Sequence, residues 1–282
     1  MNIERSELGR VSYQADATTY HPSGKFNLLS FLYLPIAILI VSLLGFIYVF
    51  IVNWNPFVYI NVLINIIYGG IAGIALWSVL HKGKVRSSAV SFVFGAILIL
   101  TTIYSIWVWY VYIITGYTLF TFSLKDMAFV AAEMAALGPW KIGSTVIIGW
   151  QVYAVWAVEA GLIACMILFI LREYKRDNIF CERCEEWATK LPPITNYEAP
   201  ENSNLRKDDI LRLKGEPLLH LEKKDKPSPS SVGVTLFHCL KKEHQFFFVS
   251  ATREKGLLKD RFSVIHLKIN EGFFEKMRNK FI

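Results

Sequence analysis

LLSFLYLPIAILIVSLLGFIYVFI, residues Leu28 to Ile51, runs without one charged side chain. A hydrocarbon core ~30 Å thick needs ~20 residues at the helical rise of ~1.5 Å, so this stretch can cross a membrane as a single helix. It starts well inside the chain, exceeds the ~7 to 15 residues of a signal peptide's apolar core, and is followed by no small-residue cleavage pattern; it is therefore expected to be retained. Three more blocks match it: Phe57 to Leu80, Ala89 to Ile114 and Thr145 to Leu171. Over 282 residues the chain is 54% hydrophobic, 15% aromatic and only 19% charged, and the apolar residues are bunched rather than dispersed. That pattern excludes an ordinary soluble protein.

Short loops set the expected orientation. The connection Asn53 to Pro56 is uncharged, whereas HKGKVR (His81 to Arg86) carries Lys82, Lys84 and Arg86, and REYKR (Arg172 to Arg176) follows the last block. Basic residues gather on the cytoplasmic side, so both termini are expected there, in an integral multi-pass membrane protein. Trp54, Trp107, Trp109, Trp140 and Trp150, with Tyr110 and Tyr112, cluster at the opposite ends, where amphipathic rings settle among headgroups. The net charge of +7 lies mostly after Leu171. It fits attraction to anionic lipid at the cytoplasmic face and, with acids interspersed and no aromatic-interleaved basic stripe, not a nucleic-acid partner.

Between the third and fourth blocks, SLKDMAFVAAEMAALG has a capping pattern in Ser123 and Asp126 and a stop at Gly138. A helix over about 123–138, lying at the outer interface, is expected. After Leu171, IFCERCEEWATK is expected to prolong the last helix; a Pro- and Asn-rich linker, a short helix from Asp208 to Gly215 and a second polar break follow. The period then switches to two in VGVTLFHCL (Val232 to Leu240), HQFFFVSAT (His244 to Thr252) and FSVIHLKI (Phe262 to Ile269). These read as strands, with Asn270 as the N-cap of a closing helix. The expected fold is an all-α transmembrane four-helix bundle with a small cytoplasmic α+β module. Its parts are a cytoplasmic N-terminal arm (1–26), loosely ordered; the four-span domain (27–171: 28–51, 57–80, 89–114, 145–171); a juxtamembrane helix and linker (172–231); and the module (232–282). Three strands and one helix give that module a marginal core, so it should lean on something else.

Two features could carry chemistry. Glu159 is an acid inside the fourth block, near its middle, and no Lys, Arg or His lies within any block. A charge there costs several kcal/mol, so the neutral acid is favoured and must find a hydrogen-bond partner. At matching depth the other blocks offer Ser42, Asn65 and Tyr68, and Thr101, Thr102 and Tyr104. Asn61, Asn65 and Tyr68 also form a polar stripe at i, i+4 and i+7. The intramembrane polar set is thus Glu159, Asn61, Asn65, Tyr68, Thr101 and Tyr104. By helical phase Glu159 sits opposite a small-residue stripe of Ala154, Ala157, Gly161, Ala164 and Cys165. Three readings stand open for it: interhelical glue, a proton or ion pathway, or contact with a second membrane subunit.

The second feature is Cys181-Glu-Arg-Cys184. On a reducing side a disulfide is not expected, and an inert pair is preferred to zinc and to a redox dithiol. Zinc would need two further ligands from His220, His238, Cys239, His244 and His266, and adjacent His238 and Cys239 on one strand point to opposite faces. There is no phosphate-binding Gly loop, HExxH or nucleophile elbow. The sequence therefore favours a non-catalytic scaffold, sensor or anchoring subunit over an enzyme, with no cofactor, in a homo-oligomer or with another membrane subunit. A small proton- or ion-coupled transporter, a channel or a membrane enzyme using Glu159 is the alternative.

Overall fold

Four apolar stretches become four long helices: α1 (Ser30–Trp54), α2 (Val58–Lys82), α3 (Ser88–Ile114) and α5 (Trp150–Asp177), with a shorter α4 (Leu124–Leu137) before the last. The computed structural model describes residues 18–55, 58–142, 145–191, 194–198, 210, 212, 216–223, 232–241, 244–253 and 265–281. All four long helices are long and apolar enough to cross a membrane. The chain divides into two units, Ser23–Asp177 and Met1–Pro22 with Asn178–Ile282.

In the helical unit, α1 packs on α2 and α3, and α5 packs on α2 and α3. Leu34, Val41, Leu76, Phe94, Leu98, Ile163 and Ile167 are buried among them, and Val152 is buried against Ala135 and Ile147, while Leu39 and Leu43 remain 60% and 56% exposed. Helices apolar on both faces suit lipid, since water would penalise the outer one. The α2–α5 contact is closest at glycine: a Cβ on Gly69 would lie 3.0 Å from both Cα and O of Ile163. Gly69, Gly70 and Gly73 lie within a continuous helix. The α2–α3 turn is tied down by Asn27 N–H donating to Gly83 O (3.0 Å) and Arg86 N–H to Lys25 O (2.9 Å). Tyr174 also donates to Val85 O at 3.3 Å.

Helix α4 is capped by Ser123, whose hydroxyl accepts from Asp126 N–H at 3.3 Å, and it stops at Gly138 with φ +75°. The next stretch departs from the sequence reading. Residues Thr145–Ile147 are not the start of the fourth span but β3, paired antiparallel with β2 (Trp140–Ile142). Thr-Val-Ile is β-branched and favours extended backbone, and Gly149, at φ +60°, separates it from the helix. The last helix consequently begins five residues later than composition suggests and runs on to Asp177.

The second unit is a twisted antiparallel sheet. Its strands are β1 (Thr18–Thr19), β6 (Thr189–Lys190), β7 (Ile194–Glu198), β8 (Glu222–Lys223), β9 (Val232–Lys241), β10 (His244–Arg253) and β11 (Ile265–Ile269). The order is β1-β11-β10-β9-β7-β8, with β6 also on β9. One face buries Val234, Leu236, Val249, Leu267 and Ile269 under Phe273, Phe274 and Met277 of α6 (Glu271–Phe281), joined by Ile210, Leu218 and Leu221. Asn270 caps α6, its side-chain oxygen accepting from Phe273 N–H at 2.8 Å. On the other face Phe237 packs with Ile179, Tyr20 and Ala188.

Two expectations are corrected here. The arm is not wholly loose: Thr18 and Thr19 pair with Lys268 and Leu267, and Tyr20 N–H donates to His266 O at 2.9 Å; residues 1–17 lie outside the described residues. Nor does the last helix continue through the cysteines. The chain turns at Asn178 into a hairpin of β4 (Phe180–Cys181) and β5 (Glu186–Trp187), because extended backbone lets Ile179, Phe180, Cys181 and Cys184 all be buried. Tertiary burial overrides the helix propensity of the surrounding glutamates. The segment assigned to a linker therefore contributes strands and core residues to the module, which supplies what Val232–Ile282 lacked. The expected helix from Asp208 to Gly215 lies mostly outside the described residues.

Candidate functional site

Moving the start of α5 to Trp150 changes the depth of Glu159. The carboxylate lies nine residues, or ~14 Å, from that end and ~26 Å from Arg176, not midway. It sits on the packed side of α5, with Val152 and Ile163 fully buried nearby, while Ala154, Ala157, Gly161 and Cys165 face outward. The carboxyl lies beside the side chain of Asn65 and lines the same space as Tyr48 and Tyr110. Tyr48 donates to Asn65 Oδ1 at 2.6 Å and stacks on Tyr68, with ring centroids 4.6 Å apart. Tyr68 in turn donates to Val41 O at 3.0 Å. Gly45 makes room for it: a Cβ there would meet the Tyr68 hydroxyl at 3.1 Å.

Beside this chain of contacts is a cavity of about 60 Å³ bounded by Glu159, Tyr48, Trp107, Tyr110, Trp140 and Trp156. Such a space holds a few water-sized groups. Trp156 presents its edge or face to Trp107 at 4.9 Å, Tyr110 at 6.1 Å and Trp140 at 6.1 Å. One acid and several electron-rich ring faces around one space can solvate a small cation.

The expected polar set is only partly assembled. Asn65 is next to Glu159, and Tyr68 is reached through Tyr48. Asn61, buried, accepts instead from Asn55 Nδ2 at 2.7 Å. Thr101 donates back to Ile97 O at 2.8 Å on its own helix, and Tyr104 donates to Phe122 O at 2.7 Å, so neither joins the site. Tyr48, Trp107, Tyr110, Trp140 and Trp156 were missed. Trp107, Tyr110 and Trp140 signal in the sequence only as headgroup anchors near the helix ends, and Tyr48 and Trp156 have no signal there beyond being aromatic.

In the sheet unit the two cysteines of the hairpin meet a third. The sulfur atoms of Cys181, Cys184 and Cys239 all lie within 4.8 Å of one another, and all three residues are buried. Cys181 and Cys184 come from the β4–β5 hairpin and Cys239 from β9; His238 is the adjacent residue on that strand, and alternation turns it to the other face. Burial pushes the thiols of Cys181 and Cys239 up from their ordinary range. The hairpin turns through Glu185 at φ +55°, a left-handed conformation uncommon for a residue with a side chain. Three soft donors converging on one point can hold a metal ion. No protein-family model, curated protein or solved structure matches this chain.

Proposed function

We propose that the chain is a four-span integral membrane protein acting as a non-catalytic scaffold, sensor or anchoring subunit, with its sheet unit on the cytoplasmic side. One observation carries the topology: residues before α1 and after α5 share a single sheet, through Thr18 and Thr19 on β11. Chain segments on either side of the helical unit can pair this way only if they lie on the same side of the membrane, which requires an even number of crossings. Four qualifying helices meet that requirement. Lys82, Lys84, Arg86, Lys175 and Arg176 lie toward that side, as the positive-inside tendency and anionic lipid favour. The outward stripe of Ala154, Ala157 and Gly161 is the face a second copy or another membrane subunit would cover. Glu159 serves in this reading as a polar tie between α5, α2 and α1.

The Glu159 cavity favours a second reading, binding of a small organic cation as a first step of transport. The two separate in one experiment: calorimetric titration of the detergent-purified chain and its Glu159→Gln variant with tetramethylammonium. The scaffold reading expects no saturable heat from either protein and the same assembly size for both. Saturable binding that Glu159→Gln abolishes without changing assembly size overturns it in favour of the cation site.

A further inference from the structure

We propose that Cys181, Cys184 and Cys239 form a zinc centre that staples the β4–β5 hairpin to β9. In a tetrahedral site with Zn–S bonds of ~2.3 Å, sulfur atoms stand ~3.8 Å apart. The three sulfurs here are within 4.8 Å of one another, so closing on a metal asks for a contraction of less than about 1 Å, whereas any disulfide between two of them would need ~2.05 Å and would leave the third thiol alone.

The local architecture is built for such a bridge. Cys181 ends the first strand and Cys184 lies in the turn of a hairpin whose strands are two residues each. The backbone N–H of Cys184 makes a hydrogen-bond contact to the Cys181 sulfur, which orients it as a ligand. The cysteines also make a cluster of their own, separate from the two apolar clusters of the sheet. Zinc takes thiolates, so binding displaces one proton from each of three thiols and leaves the fourth coordination position for water or another donor. Its preference for soft sulfur donors and lack of redox chemistry suit a structural ion.

A zinc staple would fasten the residues that follow α5 into the sheet, and so make folding of the sheet unit depend on metal. The inference rests on the proposed cytoplasmic orientation only for the reducing conditions that keep the thiols free. Its readout is metal, so it stands or falls apart from the topology.

The test uses the full chain purified in detergent without chelator. Elemental analysis is expected to find one zinc per chain. Replacing Cys181, Cys184 or Cys239 with Ser is expected to weaken zinc retention against a competing chelator by tenfold or more, while Cys165→Ser, on the outer face of α5, retains it as the parent does. Because a Ser variant can fail to fold, the parent protein is also exchanged with Co²⁺. Tetrahedral visible bands and a charge-transfer band of three-thiolate intensity support the site. Absence of zinc together with no thiolate–cobalt band overturns it. So does iron in place of zinc, a mass 2 Da low from a disulfide, or full zinc retention by Cys239→Ser.

Discussion

Replacing Gly69 and Gly70 separately with Ala tests how tightly α2 and α5 are packed, because the two neighbours face opposite surroundings. At Gly69 the new methyl would stand 3.0 Å from Ile163 Cα, 3.0 Å from Ile163 O and 3.0 Å from Met166 Cβ. Two of these are backbone atoms, which cannot rotate aside, and carbon atoms prefer ~3.5 to 4.0 Å. The helices must separate by several tenths of an ångström, and overpacking of this kind costs ~1–3 kcal/mol. At Gly70 a Cβ meets nothing within 4 Å. There the substitution gains up to ~1 kcal/mol of helix propensity, a gain both variants share. The predicted gap between them is therefore the packing term alone, ~1–3 kcal/mol. For a unit of this size each kcal/mol moves a melting point by ~2–4 °C. Thermal unfolding of the detergent-purified variants, followed by near-UV circular dichroism, should place Gly69→Ala at or below the parent, Gly70→Ala at or above it, and Gly69→Ala below Gly70→Ala. Equal melting points, or Gly69→Ala above Gly70→Ala, would refute the close α2–α5 contact.

Other outcomes follow from single contacts. Tyr48→Phe removes the 2.6 Å hydrogen bond to the fully buried Asn65 side chain, and an orphaned buried acceptor costs ~1–3 kcal/mol; the same melting assay should show that loss with no change in assembly size. Asn270→Ala removes the cap of α6 and should lower stability of the sheet unit by ~1 kcal/mol, whereas Asn270→Ser should recover most of it. Urea unfolding monitored on both variants decides the point, and equal midpoints for Ala and Ser would contradict the capping role.

Much of the helical unit was legible because long uncharged runs have few alternatives, and Ser123, Asp126 and Gly138 mark the ends of α4 in the sequence itself. The start of the fourth span was not. Thr145–Ile147 is as apolar as a helix turn, and only its β-branched composition and Gly149 argue otherwise. That five-residue error displaced Glu159 by ~7–8 Å in depth and matched it with Thr101 and Tyr104 instead of Tyr48, Trp107 and Tyr110. In the sheet unit the hairpin of β9 and β10 was plain from alternation. The CxxC hairpin was hidden among glutamates that favour helix, and Cys239 joins it from a strand far along the chain. Thr18 and Thr19 are β-branched but too short a stretch to show a strand period. Their place is set by pairing with β11, which sequence periodicity cannot see.

The central claim is that both flanks of the helical unit lie on the cytoplasmic side of a membrane crossed four times. It is tested most directly by placing single cysteines, in a background with the four native ones replaced, at Ser23, Thr118 and Lys280, and labelling intact cells with a membrane-impermeant maleimide. The account predicts labelling at Thr118 in intact cells, and at Ser23 and Lys280 only after the membrane is opened. Labelling of Ser23 and Lys280 from opposite sides, or of all three from one side, would contradict it.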